Sequence, residues 1–425
     1  MPNYNRTYIY LLLIIILGLV VAGLFYSGPL YIDDQSLYIT YSYQLLQGNL
    51  SVTTSTPYKI GLLPLATIAI SESLFGVSSL SYVLPTLLEL VLIIILTFLV
   101  GKEFFDVKTG LLGSLLIPIL PFVLQYATSA FPDMLLGVLA GLSIYLLIVG
   151  LKKKKDNILL ISGLVAGLML SAKLGGVGFG VILILTLALR DRKYVKAFSI
   201  GYFTSVIGYL ILLYIASNGN LFPVLSSYSI RQVTLAVPNS NNGALYYNIY
   251  WMLDMISGAA SLSAPLFKTY PLGITLILVI IGSAVALTKL KRRGTYLVSS
   301  FWLVFLYLFL GSESITSYQP IVFVDRYLLI VVVPLVLLIS AFLVFVYDFC
   351  LNNIRKSFAI MAVVAIISAL LISNLQSYGL VYNYNNLISE QCLSYIQNNS
   401  VITSIYMNES NLSGNCLVLY NAVVP

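Results

Sequence analysis

The chain reads as an all-α polytopic membrane protein of about 11 transmembrane helices, with the N-terminus inside and the C-terminus outside. Three observations predict this class. Mean hydropathy is +0.97. Apolar residues make up 59% of the chain and charged residues 9%, and apolar runs near bilayer-crossing length recur along it. The basic residues fall in short runs between those segments and not on one soluble face, so the net charge of +7 is a topology signal and no nucleic-acid partner is expected.

Taken in order, the apolar segments lie near 8–26, 81–100, 110–126, 133–151, 158–172, 175–189, 197–216, 271–288, 295–311, 326–347 and 357–374. The first, Tyr8 to Tyr26, is long enough to span and is not followed by a small-residue cleavage site, so it is read as a retained helix. With the N-terminus inside, Arg6, Lys102, Lys108, Lys152 to Lys155, Arg190, Arg192, Lys193, Lys196, Lys289, Lys291, Arg292, Arg293, Arg355 and Lys356 are cytoplasmic. These are 17 of the 22 basic residues, and only Lys59, Lys173, Arg231, Lys268 and Arg326 remain outside. The reverse orientation would put the larger set on the wrong face.

Residues 1–375 form the transmembrane unit, interrupted by long outer loops at 27–80 and 217–270. In the first loop, Leu37 to Leu46 and Leu62 to Phe75 are apolar enough to lie along the membrane surface as helices. The second is rich in Asn, Ser, Tyr and Gly, with a short helix expected near Tyr246 to Ile256. Residues 376–425 form a polar extracytoplasmic tail. Cys392 and Cys416 would close a loop of about 25 residues there, a disulfide worth roughly 3 kcal/mol by chain entropy. Cys350 reads as an ordinary apolar residue. Sequons at Asn49, Asn398, Asn408 and Asn411 fall on the predicted outer side, and that at Asn5 falls inside.

The inventory narrows the chemistry. There is no histidine and there are three cysteines, which excludes His/Cys metal sites and Ser-His-Asp or Cys-His catalysis. No Asp-x-Asp is present, so neither a divalent metal nor another cofactor is expected. Charges at outer span ends or within the membrane are costly to keep and become the candidates. Asp33 and Asp34 are adjacent carboxylates just past the first span. One can cap a helix beginning at Ser36, or the two can divide the work of base and orienting group. Asp133 follows Pro132 at a helix start, where an acid suits the helix dipole. Lys59 and Lys173 are lone outer cations amid apolar residues, a setting that also suits snorkelling to headgroups. Arg326 opens a helix against the dipole, which favours an external anion such as phosphate, or a local pair with Asp325. Glu89 falls mid-span as a candidate hydrogen-bonded core acid.

The ordered set resembles the GT-C membrane glycosyltransferases, in the branch of dolichyl-phosphate-mannose protein mannosyltransferases and the lipid A aminoarabinose transferase. An acidic pair (Asp33-Asp34) is followed by Gly48, then by a Lys/Pro-containing surface helix ending in Phe-Gly (Pro57-Tyr58-Lys59, Pro64, Leu74-Phe75-Gly76). A Pro-Asp (Pro132-Asp133) opens the fourth span, a small-residue stretch runs from Gly163 to Lys173, and Arg326-Tyr327 precedes a span containing Pro334. The resemblance covers most of residues 1–345 and not the tail.

It implies an enzyme of the plasma membrane, surrounded by lipid, that moves a hexose or pentose from a polyprenyl (dolichyl) phosphate to a protein, glycan or lipid acceptor on the extracytoplasmic face. Asp33 would be the base with Asp34 as the alternative, Lys59, Arg326 and Lys173 would hold the donor phosphate, and Asp133 would support the acceptor or the base. An oligosaccharyltransferase-like enzyme is the runner-up, although Trp251 and Trp302 are the only tryptophans and no Trp-Trp-Asp occurs. A non-enzymatic lipid-linked sugar flippase is the alternative from another class.

Overall fold

The computed structural model describes residues 4–26, 34–48, 61–131, 133–216, 274–311 and 325–372. The loop at 217–270, the tail with Cys392 and Cys416, Asp33, Lys59 and the four outer sequons lie outside these residues. Helices and the turns between them account for the described residues. In order they are α1 (Tyr4–Phe25), α2 (Asp34–Leu46), α3 (Leu62–Phe75), α4 (Ser79–Phe104), α5 (Val107–Leu116), α6 (Pro121–Ala127), α7 (Asp133–Lys153), α8 (Asp156–Ala172), α9 (Val177–Arg190), α10 (Val195–Ala216), α11 (Ile274–Leu290), α12 (Arg292–Leu310), α13 (Val332–Asn353) and α14 (Lys356–Ile372).

Every apolar segment of the sequence coincides with a helix, but the helices differ in reach. By length and composition α1, α4, α7, α10, α12 and α13 can cross a bilayer, while α8, α9, α11 and α14 are shorter apolar helices. The segment 110–126, expected as one span, is instead a bent pair: α5 passes through a 3-10 turn at Ile117–Ile119 and turns by 70° into α6. Pro118 and Pro121 explain the break, because each lacks an amide donor and its ring clashes with the preceding helical turn. Helices form in both stretches of the first loop where they were expected, as α2 and α3.

Small and hydroxylated residues hold the bundle together, as expected where lipid removes much of the hydrophobic drive between helices. On α8, Gly163 and Gly167 lie against the α10 backbone so closely that a side chain at either would strike the Phe198 or Tyr202 carbonyl. Between α7 and α8 the Ser143 hydroxyl donates to the Ser162 carbonyl at 3.1 Å and the Ser162 hydroxyl to the Ser143 carbonyl at 2.8 Å. The innermost helix is α13, with an almost unbroken buried run from Val332 to Ala341. The perimeter is apolar: Leu12, Leu13 and Ile16 of α1, Ile207 and Ile211 of α10, and Met361 and Val364 of α14 are exposed, an arrangement that requires lipid as solvent. The chain is a multi-pass membrane protein.

The bundle has two chemically different ends. α7 begins at Asp133 and finishes at Lys152 and Lys153, and α8 returns from Asp156 to Lys173, which pairs with Asp133. The opposite end carries the pairs Lys152–Glu103, Arg292–Asp191 and Lys108–Asp348. Asp133, Lys173 and Arg326 are thus separated from the basic runs by the length of the bundle.

Candidate active site

Asp133 is the first residue of α7 and has no exposed surface. An acid at that position is favoured by the helix dipole, and a buried one needs a cation. Lys173 supplies it: its Nζ lies 2.7 Å from Asp133 Oδ1, and its side chain is 14% exposed. The lysine reaches inward because α8 stops at Ala172 and the backbone of Lys173 is extended, with its N–H donating back to the Met169 carbonyl. The snorkelling alternative for Lys173 therefore gives way to a part-buried ion pair. Asp133 Oδ2 is buried and has no hydrogen-bond partner among the described residues, so it retains acceptor capacity.

Aromatic rings surround this pair. Lys173 Nζ lies 4.7 Å from the centre of the Tyr327 ring, and the Arg326 guanidinium lies 5.1 Å from that of Phe131 and 5.9 Å from that of Tyr327. Ring faces attract cations placed in this way and help to hold them there. Arg326 and Tyr327 sit in a 3-10 turn, Asp325–Val331, that feeds directly into α13. The innermost helix thereby fixes the position of Arg326.

Two further contacts bring the first loop to the same place. Gln35 is buried, and its side-chain oxygen accepts from the Ala130 N–H at 3.2 Å, three residues before Asp133. Asp34, the first residue of α2, immediately precedes Gln35. Phe131 stands edge-on to Tyr38 of α2, with ring centres 6.4 Å apart. Gly61 precedes α3 and packs against the Ser171 and Ala172 carbonyls, beside Lys173, so tightly that any β-carbon would collide with them. Lys59 is two residues before Gly61 in the chain. The structure therefore pairs Asp133 with Lys173 directly, brings Arg326 to the same aromatic rings, and anchors the segments that follow Asp33 and Lys59.

Sequence reasoning passed over Gln35, the ring contacts of Phe131 and the acid Glu72. Glu72 lies in α3 and is 2% exposed. Ser42 of α2 donates to its Oε1 at 3.2 Å, while Oε2 has no hydrogen-bond partner among the described residues. Burial pushes this carboxyl up from 4.5 to about 7, against the smaller lowering effect of the Ser42 bond. The signal was a single acid in an otherwise uncharged surface helix. Glu89 is buried within α4, and its Oε2 also has no hydrogen-bond partner among the described residues. Cys350 is buried as a free thiol near the C-terminal end of α13.

Comparison with known proteins agrees with this architecture. Residues 59–217 match the dolichyl-phosphate-mannose-protein mannosyltransferase family, a stretch that contains Lys59, Asp133 and Lys173. No curated protein sequence matches the chain. Among solved structures, ArnT from Cupriavidus metallidurans bound to undecaprenyl phosphate aligns with a TM-score of 0.63 at 11% identity, covering 97% of this chain and 88% of that one. The archaeal oligosaccharyltransferase AglB from Archaeoglobus fulgidus, in complex with an inhibitory peptide and a dolichol-phosphate, aligns with a TM-score of 0.55 at 14% identity. That alignment covers 97% of this chain but 59% of the oligosaccharyltransferase, so the chain spans about three-fifths of its length. At such identities the likeness is one of fold. The family match falls on the segment that carries the buried ion pair, and the fold around it is similar to those of ArnT and of the oligosaccharyltransferase.

Proposed function

We propose that this chain transfers a sugar from a polyprenyl phosphate to an acceptor hydroxyl on the extracytoplasmic face of the plasma membrane. The observation that carries the reading is the convergence of Lys173 and Arg326 on Tyr327 beside buried Asp133, with the start of α2 tied to the same segment through Gln35. A lipid-linked donor needs cations for its phosphate at an apolar, lipid-facing bundle, and this end of the molecule offers two.

In the proposed reaction Asp33, or Asp34 in its place, takes the proton of the acceptor hydroxyl as its oxygen attacks the anomeric carbon. The bond from that carbon to the phosphate oxygen breaks, and the polyprenyl phosphate leaves with the electron pair. Arg326, Lys173 and Lys59 would offset the negative charge that grows on the leaving group. Asp133 holds Lys173 in place and would support the acceptor or the base. The sugar and the class of acceptor, whether protein, glycan or lipid, are matters for assay.

Incubating the purified protein with a synthetic polyprenyl-phosphate sugar and candidate acceptors tests this directly. Of Asp33→Asn and Asp34→Asn, one should lower transfer by roughly 10²–10⁴-fold, the range for a lost general base, with donor binding retained. Arg326→Ala should instead weaken donor binding. Unchanged transfer in both Asn variants would remove the proposed base. A likeness of fold to the archaeal oligosaccharyltransferase, one structure of which is a complex with Zn and sulfate, favours a second reading, oligosaccharide transfer that uses a divalent metal. Loss of activity with chelator and recovery with manganese would move that reading ahead. Movement of the intact lipid-linked sugar across the membrane, with no transfer, would establish the flippase alternative instead.

A further inference from the structure

At the end of the bundle opposite Asp133 is a cavity of about 520 Å³, set between the end of α7, the turn after α9 and the start of α12. Six cations line it: Lys152, Lys154, Arg192, Lys193, Arg292 and Arg293. The one lining carboxylate, Asp191, is fully engaged, because Arg292 donates to Oδ1 at 2.8 Å and the Tyr296 hydroxyl to Oδ2 at 2.6 Å. Lys152 is neutralised by Glu103 at 2.8 Å. Lys154, Arg192 and Arg293 are in no ion pair among the described residues, and Lys193 faces Tyr194 and the carboxylates of Asp156 and Asp191, which leaves the cavity with an excess of three positive charges.

Topology alone asks only that basic residues lie on this side of the membrane. It does not ask that they converge from three separate elements on one concave site, where their mutual repulsion opposes packing. The floor, in contrast, is apolar or aromatic, with Ile148 at 1%, Tyr194 at 6% and Tyr296 at 2% exposure. Among the described residues the two non-glycine positions with positive φ are Lys154 (φ 54°) and Lys291 (φ 48°). The first lines the cavity and the second precedes its Arg292. Backbone held in that region by a β-carbon-bearing residue persists where its surroundings impose it.

We infer that this cavity binds a phosphate-bearing anion, and that its occupant is the headgroup of an anionic phospholipid of the inner leaflet. A cationic rim over an apolar floor at the membrane surface matches a phosphate joined to acyl chains better than it matches a fully hydrated ion. The site lies a bundle length from Asp133, so the inference does not depend on the proposed transferase activity.

The full chain, purified and delipidated in neutral detergent, tests it by lipid retention and thermal midpoint with phosphatidylglycerol, with phosphatidylcholine and with inorganic phosphate. Phosphatidylglycerol alone should raise the midpoint of the parent protein and co-purify with it. The Lys154→Gln/Arg293→Gln variant, folded as judged by an unchanged midpoint in phosphatidylcholine, should retain phosphatidylglycerol about thirtyfold more weakly. Lys289→Gln/Lys356→Gln removes two charges from the same end outside the cavity and should keep parental retention. A midpoint rise with inorganic phosphate alone, lost in the cavity variant, would keep the site and assign it to a soluble phosphate. Equal losses in both double variants, or no loss in either, would overturn the proposal by reducing the effect to diffuse charge.

Discussion

Asp133 and Lys173 illustrate how a single pair can organise a membrane site. The carboxylate is fully buried and the lysine nearly so, and in such surroundings the loss of one partner leaves the other charged with nothing to replace its solvation. Asp133→Asn should therefore destabilise the parent protein by about 3 kcal/mol, and should cost much less when Lys173 is already methionine. A double-mutant cycle on thermal stability reads this coupling. Additive effects would show that the pair is not an energetic unit and that Lys173 is held by the Tyr327 ring alone. Because both residues recur in the proposed site, transfer activity should fall in all three variants, and stability is the readout that separates structure from catalysis.

At the scale of elements, α2 and α3 form a small layer over the candidate site, with Tyr38, Ile39, Leu65, Ile68 and Tyr82 packed around Ala130. Glu72 is buried in the contact between these helices with its carboxyl raised to about 7. The folded state thus binds its proton more tightly than the unfolded chain does, so stability is full below the unfolded value of 4.5 and is lost as pH rises through about 7. The melting midpoint of the parent protein should fall between pH 5 and pH 8 relative to Glu72→Gln, which cannot ionise and should be the more stable of the two at pH 8. Parallel pH profiles would show that the carboxyl gains solvent or a partner on ionisation. Such a group is hard to read from sequence. The apolar run Leu62 to Phe75 announced a surface helix, but its rotation, and so the burial of Glu72, depends on where Ser42 of α2 lies. The same limit applied to Asp133 and Lys173, 40 positions apart, whose separate local settings suggested a helix-start acid and a lipid-facing lysine. Their pairing follows from the α7–α8 hairpin, closed by its facing serines. The helical start at Arg326 was legible because residue type at a helix start is local information. The 70° bend after α5 was missed although Pro118 and Pro121 marked it, because the apolar run continues through them.

For the whole molecule the sorting of charge decides which side the chemistry is on. The sequence divides 17 basic residues from 5, and the fold gathers Asp133, Lys173 and Arg326 at one end and the pairs of Lys152, Arg292 and Lys108 at the other. α13 runs from the Arg326 end towards the Asp348 end, and α14 starts after it at Lys356. If α14 crosses back, the tail emerges on the same side as the candidate site. A reporter fused after Pro425 should then be active only when it requires the extracytoplasmic face, and a cysteine placed at Lys154 should be labelled by an impermeant reagent only after the membrane is opened. The two measurements constrain each other, since Lys154 belongs to the end opposite Asp133 whatever the path of α14. Cytoplasmic reporter activity with a shielded Lys154→Cys would mean that α14 lies along the surface, leaving the site outside. Labelling of Lys154→Cys in intact cells would invert the whole bundle, and the donor would then have to be loaded from the cytoplasm.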